Sequence, residues 1–260
     1  MKGRIWLIGG TSESARIAKA IASKKFPCTI TVTTETAKSL YPRLPHLRVR
    51  VGQLNYAQMR VFCSQEQIVA VVDASHPYAV VISQMAIAAA KERQIPYLRY
   101  ERPQLENSLT SAPSIIELDS FDTLLSGDYL LGERVLLTIG YKTLPLFQPW
   151  QNQSTLFARI LPSVNSLEVA IKAGFTPERI IALRPPISSE LEKALWCQWQ
   201  ISLVVTKASG KAGGEEVKRC VAKELGIPLI VIARPKIVYP QQTRELDKML
   251  EFCRQHLCKI

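Results

Sequence analysis

The run Ile68-Val69-Ala70-Val71-Val72-Asp73 constrains this chain more than any other stretch. It is apolar without the alternation of a half-buried strand, and it ends on a carboxylate. A short, β-branched run of that kind reads as a parallel strand covered on both faces. Parallel neighbours require crossover connections, usually helices. The flanking sequence supplies them. A polar turn, Ala74-Ser75-His76-Pro77-Tyr78, precedes a helical pattern through Ile82, Met85, Ala86, Ala89 and Ala90, and Pro96-Tyr97-Leu98-Arg99-Tyr100 reads as the next strand. Earlier strands are expected at Ile5–Ile8, Thr29–Thr34 and Leu47–Val51, with helices through Ala15–Ala22 and Tyr56–Phe62. Strands alternating with helices argue for a parallel α/β sheet.

In such sheets ligands sit beyond the carboxyl ends of the strands. Three polar ends should therefore converge: Gly9 to Glu13, Thr33 to Glu35, and Asp73 to Tyr78. The first is the most suggestive. Gly9-Gly10-Thr11-Ser12-Glu13 joins an apolar strand to a helix start, as a tight turn that lets a ligand approach the main chain. The N–H groups and dipole of a helix's first turn form an anion site, with phosphate or pyrophosphate as the natural occupant. The turn lacks the G-x-G-x-x-G spacing, so a plain strand-to-helix connection is the alternative.

Periodicity lapses over residues 101–112, which read as a linker, and then restarts. Strands are expected at 115–118, 135–138, 156–160, 179–183, 201–205 and 229–232. Helices are expected at 121–129, 164–173, 188–199 and 215–225. The expected domains are 1–105 and 106–260, and the amphipathic tail 243–257 packs on one or the other. Polar or glycine-bearing strand ends recur here. They include Thr138-Ile139-Gly140-Tyr141-Lys142, Arg159-Ile160-Leu161-Pro162, Arg184-Pro185-Pro186, and the stretch from Thr206 to Glu215. The last holds Lys207, Lys211, Gly210, Gly213 and Gly214, which suits an anion, although Gly-Lys-[Ser/Thr] is absent.

An apolar fraction of 47% supports a real core, and the net charge of +11 points to an anionic partner. No compact Lys/Arg run or nucleic-acid motif is present, so a polyanionic small molecule with a dinucleotide fits better than nucleic acid. No apolar run reaches the roughly 18 residues of a membrane span, and the chain reads as soluble and cytoplasmic. The six cysteines and three histidines show no metal-binding spacing, and free thiols are expected.

Gly9-Gly10-Thr11-Ser12-Glu13, Asp73-Ala74-Ser75-His76-Pro77-Tyr78-Ala79, Tyr100-Glu101-Arg102-Pro103 and the Lys207–Glu215 loop together resemble the precorrin-6A reductase family of cobalamin biosynthesis. The likeness runs in order over nearly the whole chain. It implies an α/β fold of two Rossmann-like three-layer domains with parallel sheets and an active-site cleft between the domains. It also implies hydride transfer from NADH or NADPH to a double bond of precorrin-6A or its cobalt complex, with no metal or flavin cofactor. A monomer or small homo-oligomer is expected, with no membrane partner.

Residue roles follow from that resemblance together with the strand ends. Gly9, Gly10, Thr11, Ser12 and Glu13 would hold the pyrophosphate end of the cofactor, with Glu13 capping the helix or meeting a ribose hydroxyl. Thr33, Thr34 and Glu35 would meet the adenosine ribose. Glu35 would accept from a free 2′-hydroxyl, which leans toward NADH, while nearby Lys38 keeps NADPH open. Asp73, Ser75, His76 and Tyr78 would line the nicotinamide end. His76 and Tyr78 are the catalytic candidates, with His76 able to donate a proton; the competing reading has both hold the turn and pack on substrate. Substrate carboxylates would meet Arg102, Tyr141, Lys142, Arg159, Lys207, Ser209, Gly210, Lys211, Gly213 and Gly214. Two other readings use the same features: a non-catalytic dinucleotide- or nucleic-acid-binding protein, and an S-adenosylmethionine-dependent tetrapyrrole methyltransferase.

Overall fold

A computed structural model describes residues 3–103 and 114–258. Residues 104–112 of the expected linker, and the expected 105/106 boundary, lie outside the described residues. The first unit opens with β1 (Arg4–Ile8), α1 (Ser12–Ser23), β2 (Cys28–Val32), α2 (Glu35–Lys38), β3 (Leu47–Val51), α3 (Tyr56–Gln65), β4 (Ile68–Asp73), α4 (Val80–Glu92) and β5 (Tyr97–Tyr100). The second runs through β6 (Ile115–Leu118), α5 (Phe121–Ser126), β7 (Arg134–Leu137), β8 (Thr155–Ile160), α6 (Val164–Lys172), β9 (Ile180–Ala182), α7 (Ser189–Gln198), β10 (Leu203–Lys207), α8 (Glu215–Leu225) and β11 (Leu229–Ile232). The chain then returns to the first unit as β12 (Gln242–Thr243) and α9 (Leu246–Leu257).

Each unit holds a six-stranded sheet among the described residues. The orders are β12-β5-β4-β1-β2-β3 and β6-β11-β10-β7-β8-β9, and the strand pairs are parallel. The two sheets repeat one topology. In each, three strands run outward from the centre, the chain crosses back, and the next strands extend the other way. The sixth strand sits on the corresponding edge in both sheets. It comes from the end of the chain in the first unit and from the start of the segment in the second. The order reverses between β1 and β4, and between β7 and β10, and such reversals mark where doubly wound sheets bind ligands.

Both faces of both sheets are covered, which explains the unbroken apolar runs. Ile5, Leu7 and Val72 pack with Ile17 and Ile21 of α1 and with Met249, Phe252 and Leu257 of α9. Trp6 and Val71, on the opposite face, pack with Met59 and Phe62 of α3 and Ala86 and Ala89 of α4. In the second sheet, Leu137, Leu156 and Ala158 meet Phe147 and Ala170, while Leu136, Phe157 and Val204 meet Trp196 and Val221.

Several expectations shift. Lys236–Ile260 groups with the first unit, not with residues 106–260, because the apolar stripe of α9 completes the first core. Strand β2 stops at Val32, since the Thr34 hydroxyl accepts the Ala37 N–H and caps the short α2. The helix expected over 121–129 ends at Ser126, before Gly127. A 3₁₀ helix spans Tyr141–Trp150, where only a polar strand end was expected, and it contains Pro145 and Pro149. Among the described residues no helix is long and apolar enough to cross a membrane.

Candidate functional site

In the first unit, the turn after β1 and the turn after β4 are tied together. The Thr11 hydroxyl donates to the Ala74 carbonyl at 2.9 Å, and the Ala74 N–H donates to the Ile8 carbonyl at 3.0 Å. Thr11 also caps α1. Its hydroxyl accepts the Ser14 N–H, and the Ser14 hydroxyl accepts the Thr11 N–H, a reciprocal capping box. Gly10 is exposed with φ +101, and a Cβ there would meet no atom within 4 Å. Open space therefore faces the turn. Several of its N–H groups are already taken, by Thr31 for Gly9, by Tyr41 for Gly10 and by Ser14 for Thr11. Among the described residues, the Ser12 and Glu13 N–H groups have no acceptor, and these form the positive end of α1.

Glu13 would repel a phosphate at that position, but it is matched by charge. Arg102 holds its carboxylate with both forks, Nε to Oε1 at 2.7 Å and Nη2 to Oε2 at 2.7 Å. Arg102 was expected to meet substrate, and the structure instead places it against Glu13 at the helix start. Thr33, Thr34 and Glu35 are exposed just beyond β2, and Glu35 lies 3.6 Å from Lys38. Exposed pairs of this kind contribute little, so both charges stay available to a ligand.

Asp73 is fully buried, and its oxygens are occupied. Oδ1 accepts from the Ser75 N–H at 2.9 Å and from Arg99 at 3.1 Å; Oδ2 accepts from Ser83 and Tyr97, each at 2.6 Å. The carboxylate thus anchors the turn and does not face a ligand, which corrects its expected place in the cofactor lining. Arg99 also reaches Ser75 at 3.1 Å and Glu101 at 2.9 Å, and it lies over the Tyr239 ring at 5.3 Å. Burial opposes its charge, but Asp73 and Glu101 outweigh that and raise its pKa. Burial, then the Asp73 charge, pushes the Tyr97 phenol far up, so it remains a donor. Downstream, the Tyr78 N–H donates to His76 Nδ1 at 3.2 Å, which leaves Nε2 to carry the proton of the neutral ring. The His76 and Tyr78 rings sit 5.7 Å apart.

In the second unit, Thr138 closes the end of β7 onto β10 through the Val205 carbonyl. Lys207, at the end of β10, lies 5.4 Å from the Phe121 ring centre. Burial, then the neighbouring Lys142 charge, lowers its pKa to about 8. Lys142 is exposed and Tyr141 half-buried at the start of the 3₁₀ helix. The glycine loop differs from an open phosphate cradle. The Gly210 N–H donates to the Glu215 carboxylate at 2.7 Å, and Arg219 braces that carboxylate at 2.9 Å. Lys218 donates to the Gly213 and Gly214 carbonyls at 3.1 and 2.9 Å. Ser209 is buried within the loop, while Lys211 is exposed beside Glu216. Arg159, expected to meet substrate, is paired with buried Glu192 at 2.6 Å. Glu192 also accepts from the Trp196 indole at 3.0 Å.

Sequence reading missed Tyr41, Lys218 and Glu192. Lys218 and Glu192 sit inside helices, where a charged residue reads as solvated. Tyr41 follows a short helix with no motif around it. Among the described residues, no group of three or more His, Cys, Asp or Glu side chains is placed to hold a metal ion.

The chain's similarities to known proteins agree with one another. A family model described as precorrin-6x reductase CbiJ/CobK matches residues 4–254. A cobalt-precorrin-6A reductase of Synechocystis sp. is 48% identical over 256 residues, spanning 97% of both chains. One from Priestia megaterium is 34% identical, spanning 90% of this chain and 92% of its own. A solved structure described as CobK precorrin-6A reductase superposes with a TM-score of 0.78 at 24% identity, covering 98% of this chain and 97% of its own, and shows the shared fold.

Proposed function

The chain belongs to the precorrin-6x reductase CbiJ/CobK family, and from that premise we propose that it reduces cobalt-precorrin-6A with NADH. It is an oxidoreductase of cobalamin biosynthesis, and the methyltransferase reading falls with the family match. The cobalt form is favoured because it is named for both the Synechocystis and the Priestia relatives. The observation that carries the cofactor assignment is the turn after β1. It combines open space at Gly10 with two unpartnered N–H groups, of Ser12 and Glu13, at a switch point.

The residues present fit a nicotinamide dinucleotide. When bound, it supplies a hydride, which with a proton reduces one double bond of the macrocycle. The Ser12 and Glu13 N–H groups hold the pyrophosphate, Gly10 keeps a side chain clear of it, and Thr11 fixes the turn. Arg102 cancels the Glu13 charge that would oppose a phosphate. Glu35 accepts from the adenosine ribose 2′-hydroxyl beside Thr33 and Thr34, which disfavours a 2′-phosphate and so NADPH.

Ser75, His76 and Tyr78 line the nicotinamide end, with Asp73 behind them as anchor. His76 offers its Nε2–H to the substrate as a hydrogen-bond donor, its ring oriented by the Tyr78 N–H at Nδ1, and the proton that completes the reduction comes from solvent. In the second unit, Lys142 and Lys207 hold substrate carboxylates by charge-assisted hydrogen bonds, with Tyr141 and Lys211 at the margin. Arg159, Ser209, Gly210, Gly213 and Gly214 shape the loops that position these groups.

The test mixes purified protein with cobalt-precorrin-6A or metal-free precorrin-6A, and with NADH or NADPH in turn. Nicotinamide absorbance and the macrocycle spectrum are followed together. Fastest oxidation is expected with the cobalt form and NADH. No oxidation in any of the four mixtures would refute the proposal, and a preference for NADPH would remove the role given to Glu35.

A further inference from the structure

The glycine turn after β1 is occupied by a side chain from elsewhere in the fold. Tyr41 follows α2 and is buried, and its hydroxyl reaches the turn. The hydrogens at this point can all be assigned. The Ser14 hydroxyl donates to the Thr11 carbonyl at 2.7 Å and accepts the Thr11 N–H at 2.9 Å. With the single Ser14 proton so placed, the Tyr41 hydroxyl donates to Ser14 Oγ at 2.7 Å. The Tyr41 oxygen in turn accepts the Gly10 N–H at 2.7 Å.

Gly9 is explained by the same contact. A Cβ at Gly9 would lie 2.3 Å from the Tyr41 hydroxyl, and 3.1 and 3.2 Å from Ile30 Cγ2 and Tyr41 Cζ. Gly9 is not in a positive-φ conformation, so its backbone would accept alanine. The missing side chain at Gly9 therefore makes room for a phenol, while the one at Gly10 leaves room for a ligand.

We propose that Tyr41 is the positioning residue of the dinucleotide turn: its hydroxyl takes the Gly10 N–H and sets the loop so that the Ser12 and Glu13 N–H groups receive the pyrophosphate. This rests on the reading of that turn as the cofactor site. Tyr41 touches no reacting atom. Its contribution is to remove turn conformations that do not bind. Its loss therefore lowers affinity and raises KM more than it lowers kcat.

The experiment compares wild type, Tyr41→Phe, Gly9→Ala and the double variant. NADH, NADPH and ADP-ribose are titrated by fluorescence or calorimetry, and KM and kcat for NADH are measured alongside. Tyr41→Phe should weaken NADH and ADP-ribose by the same factor, about 3- to 10-fold, the worth of one buried hydrogen bond. A role in stability alone would lower the melting temperature and leave these affinities unchanged. Gly9→Ala should weaken binding further in wild type and much less in the Tyr41→Phe background, where the 2.3 Å clash is gone. Wild-type affinity in Tyr41→Phe, or a Gly9→Ala effect undiminished by Tyr41→Phe, would overturn the proposal. A wild-type protein that binds none of the three nucleotides would instead overturn the cofactor site itself.

Discussion

Asp73→Asn separates an anchoring carboxylate from one that faces a ligand. The aspartate accepts two hydrogen bonds on each oxygen, from Ser75 and Arg99 on one and from Ser83 and Tyr97 on the other. Asparagine keeps a single acceptor oxygen; with it toward Ser75 and Arg99, the amide NH2 faces the Ser83 and Tyr97 hydroxyls, which must turn from donors into acceptors to meet it. The charge is lost as well, and Arg99 stays buried with Glu101 at 2.9 Å as its remaining counter-charge. Breaking a buried ion pair from one side costs about 3–5 kcal/mol. The Glu101 contact places the expectation near the lower figure, roughly 3 kcal/mol. At about 4 °C per kcal/mol, the melting transition of the first unit should fall by about 12 °C. Scanning calorimetry would read this, with NADH affinity measured well below the transition. Tyr97→Phe removes one donor without touching the charge and should cost about 1 kcal/mol, or some 4 °C. An Asp73→Asn protein that melts within 2 °C of wild type while its NADH affinity collapses would refute the anchoring argument and return the carboxylate to the ligand.

Other substitutions test the remaining parts. Gly10→Val places a branched side chain at φ +101, in space free of protein atoms to 4 Å. It should weaken nucleotide binding at least tenfold, about 1.4 kcal/mol, and lower stability by about 1–2 kcal/mol from the backbone alone; unchanged affinity in a titration would make the turn purely structural. Lys207 provides a pH test, because burial, then Lys142, lowers its pKa to about 8. The KM for substrate should rise above pH 8 as the ammonium is lost, and Lys207→Arg should flatten that rise. The sign for stability is opposite. Between pH 8 and the ordinary lysine value the unfolded chain holds a proton that the folded chain lacks, so this group makes folding more favourable as pH rises. Weaker substrate binding there cannot be ascribed to unfolding at this lysine, and a flat wild-type profile to pH 9.5 would exclude its carboxylate-binding role.

The sequence by itself determined the fold class and where the polar strand ends fall. An unbroken apolar run as short and β-branched as Ile68–Val72 favours a parallel strand with helices on both faces over a buried helix, and local patterns suffice to find it. The turn from Gly9 to Glu13 and the strand end at Asp73 were legible for the same reason, because polar residues there interrupt a buried element. What each polar residue does was decided only by the tertiary structure. Asp73 and Glu35 are both carboxylates near strand ends, yet one is enclosed by four donors and the other is exposed. Arg102 and Glu13 are far apart in the chain and meet as a bidentate pair. Tyr41 enters the glycine turn from beyond β2, and the last helix, which follows the second unit in the chain, completes the first core. These partners are set by which strands lie side by side, and sheet order is a long-range property that local periodicity does not carry. Gly9 shows the difference most clearly. Its position in a turn was visible in the sequence, but the reason it must be glycine is a phenol that only the folded chain brings there.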